Sequence, residues 1–142
     1  MTHIDPTAEQ FQAFKDLPRD TPIEMLNLVR FNDLANYPGD HELARDGLTG
    51  AQAYGLYGNH SAPVLAKVGG RIAWRGGFET TLIGPVDEAW DAVFIAHYPN
   101  AGAFLAMVTD PDYKRAVVHR QAAVKTSRLI RCIPADGGAS FG

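Results

Sequence analysis

The stretch from Trp90 to Ile133 constrains the fold more than any other part of the sequence. Residues 90–98 are rich in aromatic and β-branched side chains and end before a proline, which predicts a strand. Asn100 and Asp110-Pro111 are good helix starts, so two short helical segments are expected next. Residues 128–133 close the stretch as a second strand. The pattern therefore predicts a self-contained strand–helix–strand unit.

The upstream sequence repeats this plan. Residues 23–31 are expected to form a strand, residues 50–68 a helix and residues 71–84 another strand. Pro63 is expected to kink or restart the helix. Gly76-Gly77, inside the later strand, indicates a bulge or a close backbone approach.

A short helix precedes both units, because residues 7–10 match a capping box. The order α, βαβ, βαβ predicts an α+β, ferredoxin-like split βαβ fold, with a four-stranded antiparallel sheet and its helices on one face. The bare face of such a sheet must be covered, most simply by a second copy of the chain. We therefore expect a homodimer of single-domain chains (1–142), each with a helical leader (1–21), a core (22–133) and a flexible tail (134–142).

Composition argues against several classes of protein. The net charge is −3 and no basic block is present, which argues against nucleic-acid binding. The apolar runs are too short for a membrane span, and no apolar signal segment precedes the first helix. Cys132 is the single cysteine, which excludes an intrachain disulfide and suits a cytoplasmic protein. Its place in a predicted strand indicates an inert, buried thiol.

Motifs for metals, cofactors and nucleophilic catalysis are missing from the sequence. The five histidines show no spacing typical of metal ligands; they are His3, His41, His60, His97 and His119. The sequence has no dinucleotide fingerprint, no phosphate-binding P-loop and no GxSxG nucleophile elbow. We predict neither a metal nor a cofactor.

Polar side chains within the predicted strands are candidates for a ligand site. Asn27 interrupts an apolar strand face, where its amide either makes a structural hydrogen bond or faces a ligand cavity. Arg71 and Arg75 are expected on one strand face and Trp74 on the other. The arginines then either reach solvent or line an anion-accepting cavity. His97 is a titratable group among apolar neighbours, either a satisfied structural histidine or a functional one.

Residues 33–49 form a turn-rich connection that is long for a compact domain. This loop is either a lid, which would carry Tyr37 and His41, or a solvated surface excursion. On the helix that follows, Tyr54 and Tyr57 lie three residues apart and can lean over the sheet.

Three segments together resemble the DUF1330 family, which belongs to the dimeric α+β barrel superfamily. They are MLNLVRF, the glycine–arginine run of residues 69–77, and HYPNAGAFLAMVTDPDYKRAVVHRQAAVKTSRLI. The resemblance covers roughly residues 22–133. It implies two ferredoxin-like protomers whose sheets face each other as a dimeric α/β barrel around a core or pocket. Relatives in the superfamily include cofactor-independent monooxygenases, lactone isomerases, haem-dependent enzymes and stress-response proteins, so the resemblance implies fold more closely than function.

The resemblance also points to individual residues. Arg75 matches the arginine of the family's RGG strand, Tyr113 the tyrosine of its Asp-Pro-x-Tyr helix start, and Arg120 an arginine one or two turns later. His97 stands where the family often has glutamate before an aromatic-proline pair. A neutral imidazole cannot balance Arg75 as a carboxylate can, so this chain is expected to use the position differently, for example as a base.

Three functions are consistent with the sequence. The first is a cofactor-independent enzyme acting on a small carbonyl or aromatic compound, with His97 as general acid or base and Arg75 holding an anionic oxygen. Its candidate substrate-binding residues are Asn27, Tyr54, Arg71, Trp74, Tyr113 and Arg120. The second is a non-catalytic, small-molecule-binding or stress-associated dimer with the same cavity. The third is a haem-binding enzyme with His97 or His119 as the axial ligand.

Overall fold

The structure is a computed structural model that describes residues 2–142. Four strands and four helices follow one another along the chain. They are α1 (Ala8–Asp16), β1 (Ile23–Phe31), α2 (Gly50–Lys67), β2 (Arg71–Gly76), β3 (Ala92–Tyr98), α3 (Ala101–Thr109), α4 (Pro111–Ala123) and β4 (Val124–Cys132). The strands form one antiparallel sheet in the order β2-β3-β1-β4. This is the ferredoxin-like topology, so the predicted fold of the protomer is confirmed.

The helices begin where the sequence supplies side-chain caps. Thr7 and Thr49 each form a capping box with the glutamine three residues later, and Asn100 caps α3. Asp110 accepts from the backbone N–H of Asp112 at 2.8 Å, so α4 starts directly after α3. Each cap satisfies a backbone donor that the first helical turn leaves unpaired.

The helices cover one face of the sheet and leave the other face open. Ile23, Met25 and Val29 point from β1 towards the helices and are almost completely buried. The core between sheet and helices consists of two clusters. The first contains Ile23, Met25, Val64, Ala96, Tyr98, Ala101, Phe104, Met107 and Tyr113; the second contains Val29, Tyr37, Ala53, Ala122, Ala123 and Val124. Within residues 2–142, no helix combines the length and the apolar character needed to cross a membrane.

Strand β2 is shorter than the sequence predicted, and its bulge lies before Gly76-Gly77 rather than at this glycine pair. It ends at Gly76, so the predicted continuation to residue 84 is wrong and residues 77–91 form a long loop. The pairing with β3 shifts register between Ile72 and Trp74, which places the bulge at Ala73. The glycine pair nevertheless marks a close approach, because the ring of Trp74 lies where a side chain on Gly76 would point.

The structure bears on two further expectations about single residues. Helix α2 runs from residue 50 to residue 67 without a break, so Pro63 does not restart it, and the kink stays an expectation. Cys132 is exposed at the end of β4 and is not a buried thiol, because the open face of the sheet has no helix over it.

Candidate functional site

The sheet divides the predicted site residues into two groups. Arg75 lies opposite Phe94 in the pairing of β2 with β3, and Asn27 lies opposite Phe94 in the pairing of β1 with β3. Phe94 packs against the second core cluster, so this row faces the helices. Tyr54 lies on α2, and Tyr113 and Arg120 lie on α4, on the same side of the sheet.

The open face carries the other group. His97 lies opposite Arg71, and Trp74 lies opposite Ile95. The bulge at Ala73 explains why Arg71 joins Trp74 while Arg75 turns to the helices: one extra residue reverses the alternation that follows it. The expectation that both arginines share a face is therefore wrong. His97 and Arg75 cannot meet in one site within a protomer.

Three tyrosines form the centre of the helix-side group, which we call the tyrosine site. Tyr54 and Tyr57 lie one turn apart on α2, with ring centroids 5.4 Å apart. The hydroxyl of Tyr57 lies 2.9 Å from that of Tyr113 on α4, and Tyr113 is buried. The ring of Phe31 also packs against Tyr54, with ring centroids 5.0 Å apart. The site thus combines apolar ring faces with clustered hydroxyl groups.

Burial keeps the hydroxyls of Tyr54 and Tyr113 protonated. Burial raises the pKa of Tyr54 and Tyr113 well above the ordinary value, and the neighbouring Tyr57 raises both further. The positive charge of Arg120 opposes the increase at both tyrosines. Neutral tyrosines are hydrogen-bond donors, so the site is suited to an oxygen acceptor.

The two arginines of the tyrosine site differ in their hydrogen bonds within the protein. The guanidinium of Arg120 donates to the carbonyl of Ile4 at 2.6 Å and to Oγ of Ser127 at 3.2 Å, so it ties the N-terminal segment to β4. Arg75 is exposed on the edge strand and has no hydrogen-bond partner among residues 2–142, although its charge acts on Tyr54. Arg75 is therefore the arginine available to a ligand.

Asn27 makes a local hydrogen bond. Its side-chain amide donates to the carbonyl of Met25 at 3.0 Å on the same strand. This bond satisfies part of the half-buried amide, and the side-chain oxygen of Asn27 remains an acceptor beside Phe94.

Ionisable side chains form a row across the open face. The strand pairing places His97 between Arg71 and Glu24, and Glu24 lies next to Cys132. Directly opposed side chains of neighbouring strands lie within about 5.5 Å at Cβ. His97 is only partly buried there and does not pack against the helices.

A cluster of aromatic and imidazole rings joins the 33–49 loop to helices α2 and α4, and the sequence did not reveal it. The hydroxyl of Tyr37 lies 2.7 Å from Nδ1 of the buried His119, and Tyr37 stacks on His41 at 4.6 Å between ring centroids. The ring centroid of His119 lies 5.0 Å from that of His60 and 5.9 Å from that of His41. We call these four residues the histidine cluster. Its histidines come from a loop and two helices, so no sequence spacing signals them.

The histidine cluster is not built as a metal site. Across residues 2–142, no group of three or more His, Cys, Asp or Glu side chains is arranged to hold a metal ion. Nδ1 of His41 accepts from the backbone N–H of Leu43 at 3.0 Å, so Nε2 carries the proton of the neutral ring and has no lone pair for a metal. Burial lowers the pKa of His119, and His60 and His41 lower it further, whereas Glu42 raises it.

Comparison with solved structures gives two similar chains over nearly full length. The crystal structure of RPA0582, a protein of unknown function from Rhodopseudomonas palustris, shares 52% identity, with 96% of this chain and 100% of that chain covered and a TM-score of 0.89. The crystal structure of the methylated RPA0582 protein shares 51% identity, with 97% of this chain and 98% of that chain covered and a TM-score of 0.90.

A dimeric protein of unknown function and ferredoxin-like fold from Bacteroides fragilis is more distant. It shares 12% identity and covers 79% of this chain and 95% of its own, with a TM-score of 0.46. No curated protein matches. The family described as "Domain of unknown function (DUF1330)" matches residues 43–131. The chain belongs to the DUF1330 family.

Proposed function

We propose that this protein binds a small, partly apolar molecule bearing an anionic or carbonyl oxygen in the tyrosine site. The observation that carries the proposal is the pair of Tyr57 and Tyr113 hydroxyls, which lie 2.9 Å apart between sheet and helices. The ring of Tyr54 packs beside Tyr57, and the charge of the unpartnered Arg75 guanidinium acts on Tyr54. Polar groups that converge in an apolar interior are typical of ligand sites.

The chemistry of the lining indicates an aromatic anion or carbonyl compound. The rings of Phe31, Tyr54 and Phe94 offer apolar faces to a planar ligand. Within the pair of Tyr57 and Tyr113, one hydroxyl donates to the other, and the accepting hydroxyl keeps its own hydrogen for the oxygen of a ligand. Arg75 supplies the compensating charge. A cationic ligand would meet two arginines and no carboxylate from this group of residues.

Calorimetric titration with benzoate, and with benzyl alcohol as the uncharged counterpart, tests this function. Benzoate is expected to bind more tightly than benzyl alcohol. Arg75→Gln should weaken benzoate binding about tenfold or more, because a charge-assisted hydrogen bond contributes about 1.5–3 kcal/mol. The control is Arg115→Gln, since Arg115 is exposed and pairs with Asp112 on the outside of α4. Equal affinities for the two probes, or equal losses in the two variants, would refute the proposed site.

We also propose that the protein is a homodimer whose open sheet faces pack against each other. Leu26, Leu28, Val93 and Ile95 form an apolar centre on that face, and Trp74 beside them is 53% exposed. The 77–91 loop adds apolar side chains at its tip, where Leu82, Ile83 and Val86 are almost fully exposed. Apolar surface of this extent on one face is typical of a protein–protein interface. A second copy of the chain presents the same apolar face, so the two faces can bury each other.

The row formed by Arg71, His97 and Glu24 favours a second candidate function, cofactor-independent catalysis. Glu24 can orient the imidazole of His97, and Arg71 takes the role that the sequence assigned to Arg75, holding an anionic oxygen. In the proposed dimer this row lies between the two sheets, where water is restricted. Catalysis of this kind transfers a proton to or from carbon next to a carbonyl group.

The enolisation of phenylpyruvate in deuterated buffer tests the catalytic candidate, with loss of its methylene protons followed by NMR. An enzyme is expected to accelerate the exchange, and His97→Gln should reduce the acceleration by about 10²-fold or more. Arg115→Gln again serves as the control. Exchange no faster than in buffer would eliminate the catalytic candidate and leave a non-catalytic binding or stress-associated dimer.

A further inference from the structure

The 33–49 loop is hydrogen-bonded at its ends, and most of its middle is exposed around the buried side chain of Tyr37. The backbone N–H groups of Asn32 and Asn36 donate to the carbonyls of Ala123 and Ala122, each at 2.8 Å, and Ala35 donates to Leu48 at 2.8 Å. Beside these bonds a solvent-open hollow of about 440 Å³ lies between residues 36–39 of the loop and the side of α4 that carries Val118 and Gln121. Such a segment can move as a unit on its anchored ends.

The histidine cluster provides the polar contacts that hold the middle of this loop. Tyr37 and His41 come from the loop, His60 from α2 and His119 from α4. The rings of His41 and His60 both lie within 6 Å of His119, so the closed loop brings three titratable groups together.

We propose that the 33–49 loop is a proton-operated lid, held closed by neutral imidazoles in the histidine cluster and released when the cluster is protonated. Three imidazolium ions at these separations repel one another, and Glu42 is the carboxylate that faces them from the loop. Arg115, one turn before His119 on α4, is engaged by Asp112. The hydrogen bond between Tyr37 and His119 survives protonation, because Nδ1–H can then donate to the tyrosine oxygen. Repulsion among the rings is therefore the opening force.

The pH dependence has a definite sign. Burial and the two neighbouring histidines lower the pKa of His119 in the closed state below the ordinary value of 6.5. The open lid therefore binds more protons than the closed lid, and closure weakens as the pH falls below that value.

The lid controls access to the tyrosine site, an inference that rests on the proposed function. Leu43 and Leu48 of the lid pack against the same buried cluster as Tyr54 and Phe94. When the lid lifts, the end of that cluster beside Tyr54 is uncovered. Acidification should thus open a route to the ligand site.

Hydrogen exchange of the protein at about pH 7.5 and about pH 5.5 tests the lid, after correction for the intrinsic pH dependence of amide exchange. Peptides from residues 37–47 should exchange about tenfold faster at the lower pH, while peptides from β1 stay protected. Because His60 is exposed, His60→Gln is expected to fold normally and to shift the opening to lower pH by removing one cation. His3→Gln, an exposed histidine outside the histidine cluster, should leave the opening unchanged.

Two outcomes separate the lid from the proposed function. If residues 37–47 gain no more exchange than β1, or if His60→Gln behaves like His3→Gln, the lid is overturned, whatever benzoate does. If the lid opens as expected but benzoate fails to bind near neutral pH, the lid stands and the proposed ligand site fails.

Discussion

The bulge at Ala73 determines which face of the sheet each arginine of β2 occupies. Strict alternation would place Arg71 and Arg75 on one face, but the register shift between Ile72 and Trp74 sends them to opposite faces. A bulge depends on how β2 fits β3, and alanine gives no local signal for it. For this reason the sequence alone does not reveal which of the predicted site residues share a face of the sheet.

The hydrogen bond between Tyr57 and Tyr113 should make a measurable contribution to the free energy of unfolding. Tyr113→Phe removes the hydroxyl without changing the ring, and the protein is expected to lose about 1 kcal/mol, because the half-buried partner hydroxyl then lacks its bond. Urea unfolding provides the measurement.

The double variant Tyr57→Phe/Tyr113→Phe sharpens this test. It should be less destabilised than the sum of the two single variants, since the second change removes the unpaired partner. Tyr98→Phe, whose hydroxyl meets only the sulfur of Met107 at 3.8 Å, is the control and should cost less. Additive losses would show that the two hydroxyls are not coupled.

At the scale of elements, the first turn of α2 depends on a close backbone approach. A side chain on Gly50 would overlap the carbonyl oxygen of Asn32 and lie 3.0 Å from that of Ala123, both in backbone that is hydrogen-bonded in place. Gly50→Ala should therefore cost about 1–3 kcal/mol or more.

Gly55 in the same helix is the matched control. A side chain there would meet nothing within 4 Å. Gly55→Ala should raise stability by about 0.5–1 kcal/mol through helix propensity alone. Thermal unfolding of both variants checks the pair, and a similar change in melting temperature for both would contradict the packing account.

The elements that local chemistry specifies were predictable, and those that tertiary contacts specify were not. Thr7, Thr49 and Asn100 cap helices as their side chains dictate. By contrast, β2 ends at Gly76, and the loop that follows it makes contacts with distant parts of the chain: Arg30 of β1 donates to the carbonyl of Asp87 at 3.3 Å. The histidine cluster joins residues far apart in the chain, which a pattern read along the sequence cannot reveal.

At the scale of the whole molecule, the open face determines the assembly that we propose. Ile95→Lys places a charge at the apolar centre of that face, opposite Leu26 on β1. The variant should stay folded as a monomer, because no helix packs on this side. Light scattering after size-exclusion chromatography gives the mass in solution.

Leu17→Asp provides the control for the assembly, since Leu17 is half-exposed at the end of α1, away from the open face. It should leave the mass unchanged. A monomeric unmodified protein, or a dimer that persists in Ile95→Lys, would rule out the sheet-to-sheet arrangement.

We propose that the tyrosine site, between the sheet and helices α2 and α4, accepts an anionic oxygen. A crystal structure of the protein soaked with benzoate tests it most directly. We expect the carboxylate within ~3.2 Å of the hydroxyl of Tyr57 or Tyr113 and of the Arg75 guanidinium, with its ring against Tyr54. Benzoate bound instead on the open face beside His97 and Arg71, or no bound benzoate at a concentration that saturates the protein in solution, would contradict the claim.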